Sequence, residues 1–158
     1  MATYNRTATG GGTAGHPANA AVPYVITSPV WDTADGGTGG DVIQLVDVPA
    51  DTMIVSGCLE VLEARGNGQI TMDIGFTGGD VDCFVDGSAC AAGFTPFLEA
   101  AVGASGSNAR MLTSADTIDA LILDGGSTGE SALRFRIHVV LVDVSKNPVE
   151  SATVSTGT

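Results

Sequence analysis

The chain has 158 residues and a formal net charge of −12, from 18 acidic against 6 basic residues, with 44% hydrophobic content and 22 glycines. That hydrophobic share excludes a low-complexity disordered polymer, and the length suits one domain able to bury a core. The acidic field repels phosphates and argues against nucleic-acid binding, and no run reaches the roughly 20 apolar residues of a membrane-spanning helix.

Residues Met1–Ala21 are rich in Thr, Gly, Ala and Asn, with a GGG triplet and no periodicity. Such a segment buries too little apolar surface to offset its ordering entropy, so it reads as a flexible or partner-bound N-terminal arm. Tyr4, Arg6 and His16 are its candidate contact side chains. It lacks the apolar centre of a secretory signal, which points to a chain made and used, or assembled, in a cytoplasm. Val22–Val30 is a short strand whose prolines place it at a sheet edge. Trp31–Asp41 is a Gly-rich turn; its Asp32, Asp35 and Asp41 lack the ligand spacing of a calcium loop, so a solvated turn is expected.

Asp41–Val48 and Thr52–Ala64 are strands separated by the turn Pro49-Ala50-Asp51, with Gly57 as a candidate bulge. Arg65-Gly66-Asn67-Gly68 carries the Asn-Gly pair of a tight hairpin, predicting that Thr52–Ala64 pairs with Gln69–Phe76. In the latter, Ile70, Met72, Ile74 and Phe76 share the inward face, and Thr71 and Asp73 point out. Thr77–Gly87 is an acidic turn enclosing a short strand, Val81–Val85. Ser88–Gly106 reads as an excursion over one open end, with a short helix from Pro96 to Val102 as the alternative. Ala109–Thr113 is a brief strand and Asp116–Asp124 a longer one.

The clearest element is Glu130–Asp143, ESALRFRIHVVLVD. Its alternation puts Leu133, Phe135, Ile137, Val139 and Leu141 on one apolar face. The other face runs Arg134, Arg136, His138, Val140, Val142, charged in its first half and apolar in its second. A strand apolar on both sides needs two covers, so the second half implies packing against both an opposing sheet and a loop or neighbouring subunit. A homo-oligomer follows, a trimer before a dimer. After Val144 the tail is polar and aperiodic. The expected architecture is an all-β antiparallel sandwich, jelly-roll-like, over residues 22–145, with the arm at 1–21 and a polar tail at 146–158.

Motifs for chemistry are sparse. Gly125-Gly126-Ser127-Thr128-Gly129 matches the nucleophile-elbow pattern, but that pattern needs a helix after it, and here a strand follows across what reads as a hairpin turn. Cys58, Cys83 and Cys90 fit no zinc spacing; they are expected as free thiols, with Cys58 in the core. Eighteen acids leave a carbohydrate-active sandwich enzyme conceivable, yet Trp 1 and Tyr 2 are few for a sugar groove. No catalytic, metal or cofactor residues are assigned. Arg134, Arg136 and His138, at alternate positions of one strand, form the one concentrated cationic row. They read either as cross-strand partners of acids such as Asp119 or Asp73, the favoured reading, or as a partner-binding surface, a charge-complementary interface with a second acidic copy of the chain.

Two stretches carry a resemblance: VIQLVDVPADTMIVSGCLEVLEARGNGQITMDIGFTGGDVDCFVDG, and LTSADTIDALILDGGSTGESALRFRIHVVLVDVS. With their "VPA" turn, I-x-x-D-I-G-like strand and "TADTID"-like strand, they resemble the small structural proteins encoded among tailed-phage head genes. The resemblance implies a bacteriophage capsid decoration (cement) protein, docked on the outside of the major capsid protein shell, commonly as a trimer. It implies no catalytic residue and no cofactor, with a place on the capsid surface of the virion after assembly in the host cytoplasm. The alternative is a head-fibre or tail-associated adhesion module recognising a host surface.

Overall fold

The computed structural model describes residues 3–8, 22–32, 39–64, 70–76, 78–97, 110–124 and 133–145. Eleven strands occupy these segments, in the order β1 (Thr3–Ala8), β2 (Pro23–Thr27), β3 (Trp31–Asp32), β4 (Val42–Val48), β5 (Thr52–Glu63) and β6 (Thr71–Gly75). β7 (Val85–Ala89), β8 (Gly93–Pro96), β9 (Arg110–Leu112), β10 (Asp116–Asp124) and β11 (Arg134–Asp143) follow. They form two sheets. The first has the order β1-β4-β10-β6-β7; the second has β2-β11-β5-β8, with β3 also on β11 and β9 also on β5.

β11 is central to the second sheet, flanked by β5 on one side and by β2 and β3 on the other. Its inward side chains Phe135, Ile137, Val139 and Leu141, with Leu133 just before the strand, are fully buried, as the alternation predicts. They meet the inward residues of the first sheet, among them Ile43, Leu45, Met72, Ile74, Ile118, Ala120 and Ile122, in one continuous core. The result is a β-sandwich. From β3 onward the chain alternates between the sheets, remaining in one sheet only from β6 to β7 and from β8 to β9. That is the connectivity of a jelly roll, an architecture found in viral capsid and lectin domains.

This connectivity corrects two sequence expectations. β5 and β6 do not form a hairpin: β5 pairs with β11, β8 and β9, whereas β6 pairs with β10 and β7. β10 and β11 likewise belong to opposite sheets, so Asp124–Gly129 does not join hairpin partners. The strands on either side of the Asn-Gly signal, and those on either side of the Gly-Gly signal, thus belong to opposite sheets rather than pairing as neighbours. Residues 65–69 and 125–132 themselves lie outside the described residues.

Smaller departures have local causes. Trp31, expected in a turn, begins β3 and is buried in the core opposite Phe135. The strand expected at Val81–Val85 begins instead at Val85, after a turn through 78–84. Ser88 and Ala89 close β7 and β8 follows; of the alternative helix Pro96–Val102, Pro96 instead ends β8 and Phe97 enters the core, while residues 98–109 lie outside the described residues. Gly57 is not itself the bulge: the register of β5 against β11 shifts between Ile54 and Ser56, at Val55. What Gly57 provides is room. A Cβ there would stand 2.3 Å from the Phe97 ring, which stacks on Phe84 at 4.8 Å between centroids. All three cysteines are free; Cys83 and Cys90 are buried, and burial pushes the Cys90 thiol up to about 12. Cys58 corrects another expectation: it opposes His138 on the outer face and is only half-buried.

The first sheet has its own covered outer face. Asp73 and Asp119 point away from the core yet are both buried. Over Asp73, β7 carries extra residues between Ser88, opposite Met72, and Val85, opposite Ile74. From this bulge the Gly87 N–H donates to Asp73 Oδ1 at 2.7 Å. Burial raises the Asp73 carboxyl above its ordinary range, the Gly87 bond opposes that, and Asp82 and Asp86 reinforce it. A carboxyl whose pKa is raised by folding binds its proton more tightly in the native state, so its contribution improves as pH falls through the raised value. Asp73→Asn keeps an acceptor for Gly87 while removing the charge. We expect its thermal midpoint at neutral pH to equal or exceed wild type, with the mild-acid gain diminished. A clear loss of midpoint at neutral pH would contradict this.

Candidate docking surface

The outer face of the second sheet gathers Arg134, Arg136 and His138 with residues that the sequence did not single out. Cross-strand register sets Arg134 between Asp32 on β3 and Glu63 on β5, Arg136 opposite Glu60, and His138 between Thr27 and Cys58. Neighbours directly opposite on one face of an antiparallel sheet are close enough to pair. The Arg136 Nε–H donates to Glu60 Oε2, and His138 Nε2 lies 2.8 Å from the same oxygen. Because a carboxylate only accepts, Nε2 carries the proton of that bond. In neutral His138 the remaining Nδ1 lone pair then accepts from the Thr27 hydroxyl, 2.9 Å away. Arg134 Nε stands 3.7 Å from Asp32 Oδ2, a looser, half-exposed pair.

The cationic row is therefore a neutralised ladder. Cross-strand pairing is what forms, with partners Glu60 and Asp32 in place of Asp119 and Asp73, which belong to the other sheet. Glu60 is its hub. The Arg136 hydrogen bond, followed by that of His138, holds its carboxyl below the ordinary range. The sign is opposite to that of Asp73: a lowered carboxyl stabilises the fold above its unfolded pKa, and that contribution fades as pH falls through the folded value. We expect Glu60→Gln to retain the fold, with its loss of midpoint greatest near neutral pH and vanishing in acid. A loss that stays constant across the acid range would assign the effect to packing alone.

Beyond the ladder the face turns apolar. Val140 is flanked by Val25 and Ser56, and Val142 by Pro23 and Met53; Met53 in turn opposes Met111 on β9. An apolar strip thus crosses the width of the sheet, from β2 through β11 and β5 to β9. Val25 at its start is 65% exposed and Met111 at its end 54%. Phe94, opposite Glu60 on β8, is 68% exposed, with its ring 6.4 Å from the His138 ring. Alternation in β11 announced Val140 and Val142. Nothing in the sequence announced Phe94, because β8 has no periodic pattern.

The arm residues stand apart from this surface. Tyr4 and Arg6 belong to β1, the edge strand of the first sheet, which pairs parallel with β4, Tyr4 opposite Ile43. His16 lies outside the described residues. Among the described residues no group of three or more His, Cys, Asp or Glu is placed to hold a metal ion.

No protein-family model and no curated protein sequence matches the chain. Solved structures do. A chain from the capsid of Ralstonia phage GP4 superposes with a TM-score of 0.65 at 18% identity, covering 90% of this chain and 98% of that one. One from the capsid asymmetric unit of cyanophage Pam1 gives 0.58 at 13% identity, over 86% of this chain and 96% of that one. One from the acidic stable capsid structure of Helicobacter pylori bacteriophage KHP30 gives 0.56 at 16% identity, over 77% and 87%. At these identities the likeness is one of fold, and it extends over nearly the full length of each partner.

Proposed function

We propose that this protein is a structural component of a bacteriophage virion, and within it a decoration (cement) protein on the outside of the major capsid protein shell. The single observation that carries the reading is the fold likeness to phage capsid chains, which takes in 98% of the Ralstonia phage chain and 90% of this one. The finer assignment draws on physics. With a net charge of −12 the protein is repelled by packaged nucleic acid, which favours the outer side of a shell over the inner. A role made of contacts needs no catalytic residue and no cofactor. In this reading the copies associate with one another, as trimers by the resemblance in sequence, and reach the capsid surface during assembly in the host cytoplasm. The arm, residues 1–21, of which Thr3–Ala8 forms β1 at the edge of the first sheet, supplies further contacts through Tyr4, Arg6 and His16. Each arm adds little alone, but the folded core holds it at high local concentration beside its target.

The test is add-back. Particles prepared without this protein are expected to bind it from solution and to withstand higher temperature before releasing their genome. Particles that neither bind it nor gain heat resistance would overturn the assignment.

A further inference from the structure

We infer that the outer face of the second sheet, from Val25 through Val140 and Met53 to Met111 and flanked by Phe94, is the surface by which each copy meets a second copy of this chain. The inference rests on the self-association in the reading above and supplies its location.

Charge selects the occupant. Two copies of a chain carrying −12 oppose carboxylates to carboxylates over most possible contacts, and like-charge juxtaposition at an interface is costly. Among the described residues, this face departs from that pattern. Its two arginines pair with Asp32 and Glu60, and Glu63 stands in register with Arg134, leaving a local charge of about −1. The strip beside the ladder adds no charge at all, being built of Pro23, Val25, Val140, Met53 and Met111. A strongly basic partner would gain most from the carboxylates elsewhere on the protein and least from this neutral face. A partner as acidic as the chain itself finds here a place to approach without repulsion.

The chemistry of the face suits the same purpose. Interfaces are depleted of net charge at their centres and enriched in aromatic residues and methionine, with polar groups at the rim. Met53 and Met111 are adaptable contact residues, and an exposed phenylalanine is a good anchor for a desolvated pocket. The ladder also keeps Arg136 and Glu60 paired within the chain, so covering the face strands no charge among them.

The experiment measures the mass of the full chain in solution by light scattering over a range of micromolar concentrations. Wild type is expected as an oligomer. Val25→Lys and Met111→Lys, at opposite ends of the strip, should each weaken association by about tenfold or more, and together yield monomer. Phe94→Ala should weaken it in the same direction. Leu123→Lys, at an exposed apolar site on the first sheet, should leave the oligomer intact. Because the lysines replace exposed side chains, cooperative thermal unfolding should persist in every variant, which separates lost association from lost folding. A wild type that is monomeric throughout, or an oligomer untouched by the double substitution, overturns the inference. Add-back to particles reads the capsid assignment separately: a double variant that is monomeric yet still binds shells would leave both conclusions standing.

Discussion

Phe135→Ala is expected to lower the stability of the domain by roughly 3–5 kcal/mol, among the largest effects of any single side chain here. Phe135 is fully buried, on the strand that the second sheet is built around, with Trp31 opposite it on β3 and Val61 on β5. Truncation forfeits the transfer of an aromatic ring out of water and leaves a cavity that a close-packed interior refills only in part. At ~2–4 °C per kcal/mol for a domain of this size, the thermal midpoint should fall by on the order of 10 °C. Ile137→Ala, one step along the same face, should follow at about 2–5 kcal/mol. Urea midpoints like wild type for both would place the core on the other face of β11.

Gly75→Ala should also be damaging, for the opposite reason, since it adds an atom where none fits. The turn after β6 comes back over Gly75, held by the Phe76 N–H donating to the Asp80 carbonyl at 2.9 Å and the Gly79 N–H to the Phe76 carbonyl at 3.0 Å. A Cβ at Gly75 would lie 2.3 Å from the Asp80 carbonyl oxygen and 2.5 Å from the Val81 carbonyl carbon. These are backbone atoms, which cannot rotate away as a side chain would. The turn must lift as a unit, exposing the buried Asp119 opposite Gly75 and disturbing Phe84, whose N–H donates to the Ile74 carbonyl. Overpacking of this kind costs roughly 1–3 kcal/mol and sometimes more. Gly78→Ala is the internal control: no atom lies within 4 Å of its Cβ position, so its midpoint should stay near wild type. Equal midpoints for the two alanine variants would mean that the turn does not pack on β6 as described.

The sequence was most informative where burial enforces a period. β4, β6, β10 and β11 alternate or run apolar because one or both faces are covered, and their positions and inward residues were readable in advance. Pairing was not readable. Sequence neighbours usually pair, so Asn67-Gly68 suggested a hairpin, but β5 and β6 on either side of it belong to opposite sheets, as jelly-roll connectivity requires. β1 was missed because TYNRTA has no apolar face; what registers it is the backbone ladder along β4. The docking surface was half legible. Arg134, Arg136 and His138 showed as a row, but Glu60 and Asp32 became their partners only through the register of β5 and β3. That register turns an apparent basic patch into a nearly neutral one.

The claim that organises all of this is that the chain is part of a phage shell. Electron cryomicroscopy of purified particles known by mass spectrometry to contain the protein tests it most directly. The account predicts jelly-roll density of this size on the outer surface, repeated at equivalent positions over the whole capsid. Density confined to the tail or to fibres at a few vertices, with none across the capsid surface, would contradict it and favour an adhesion module.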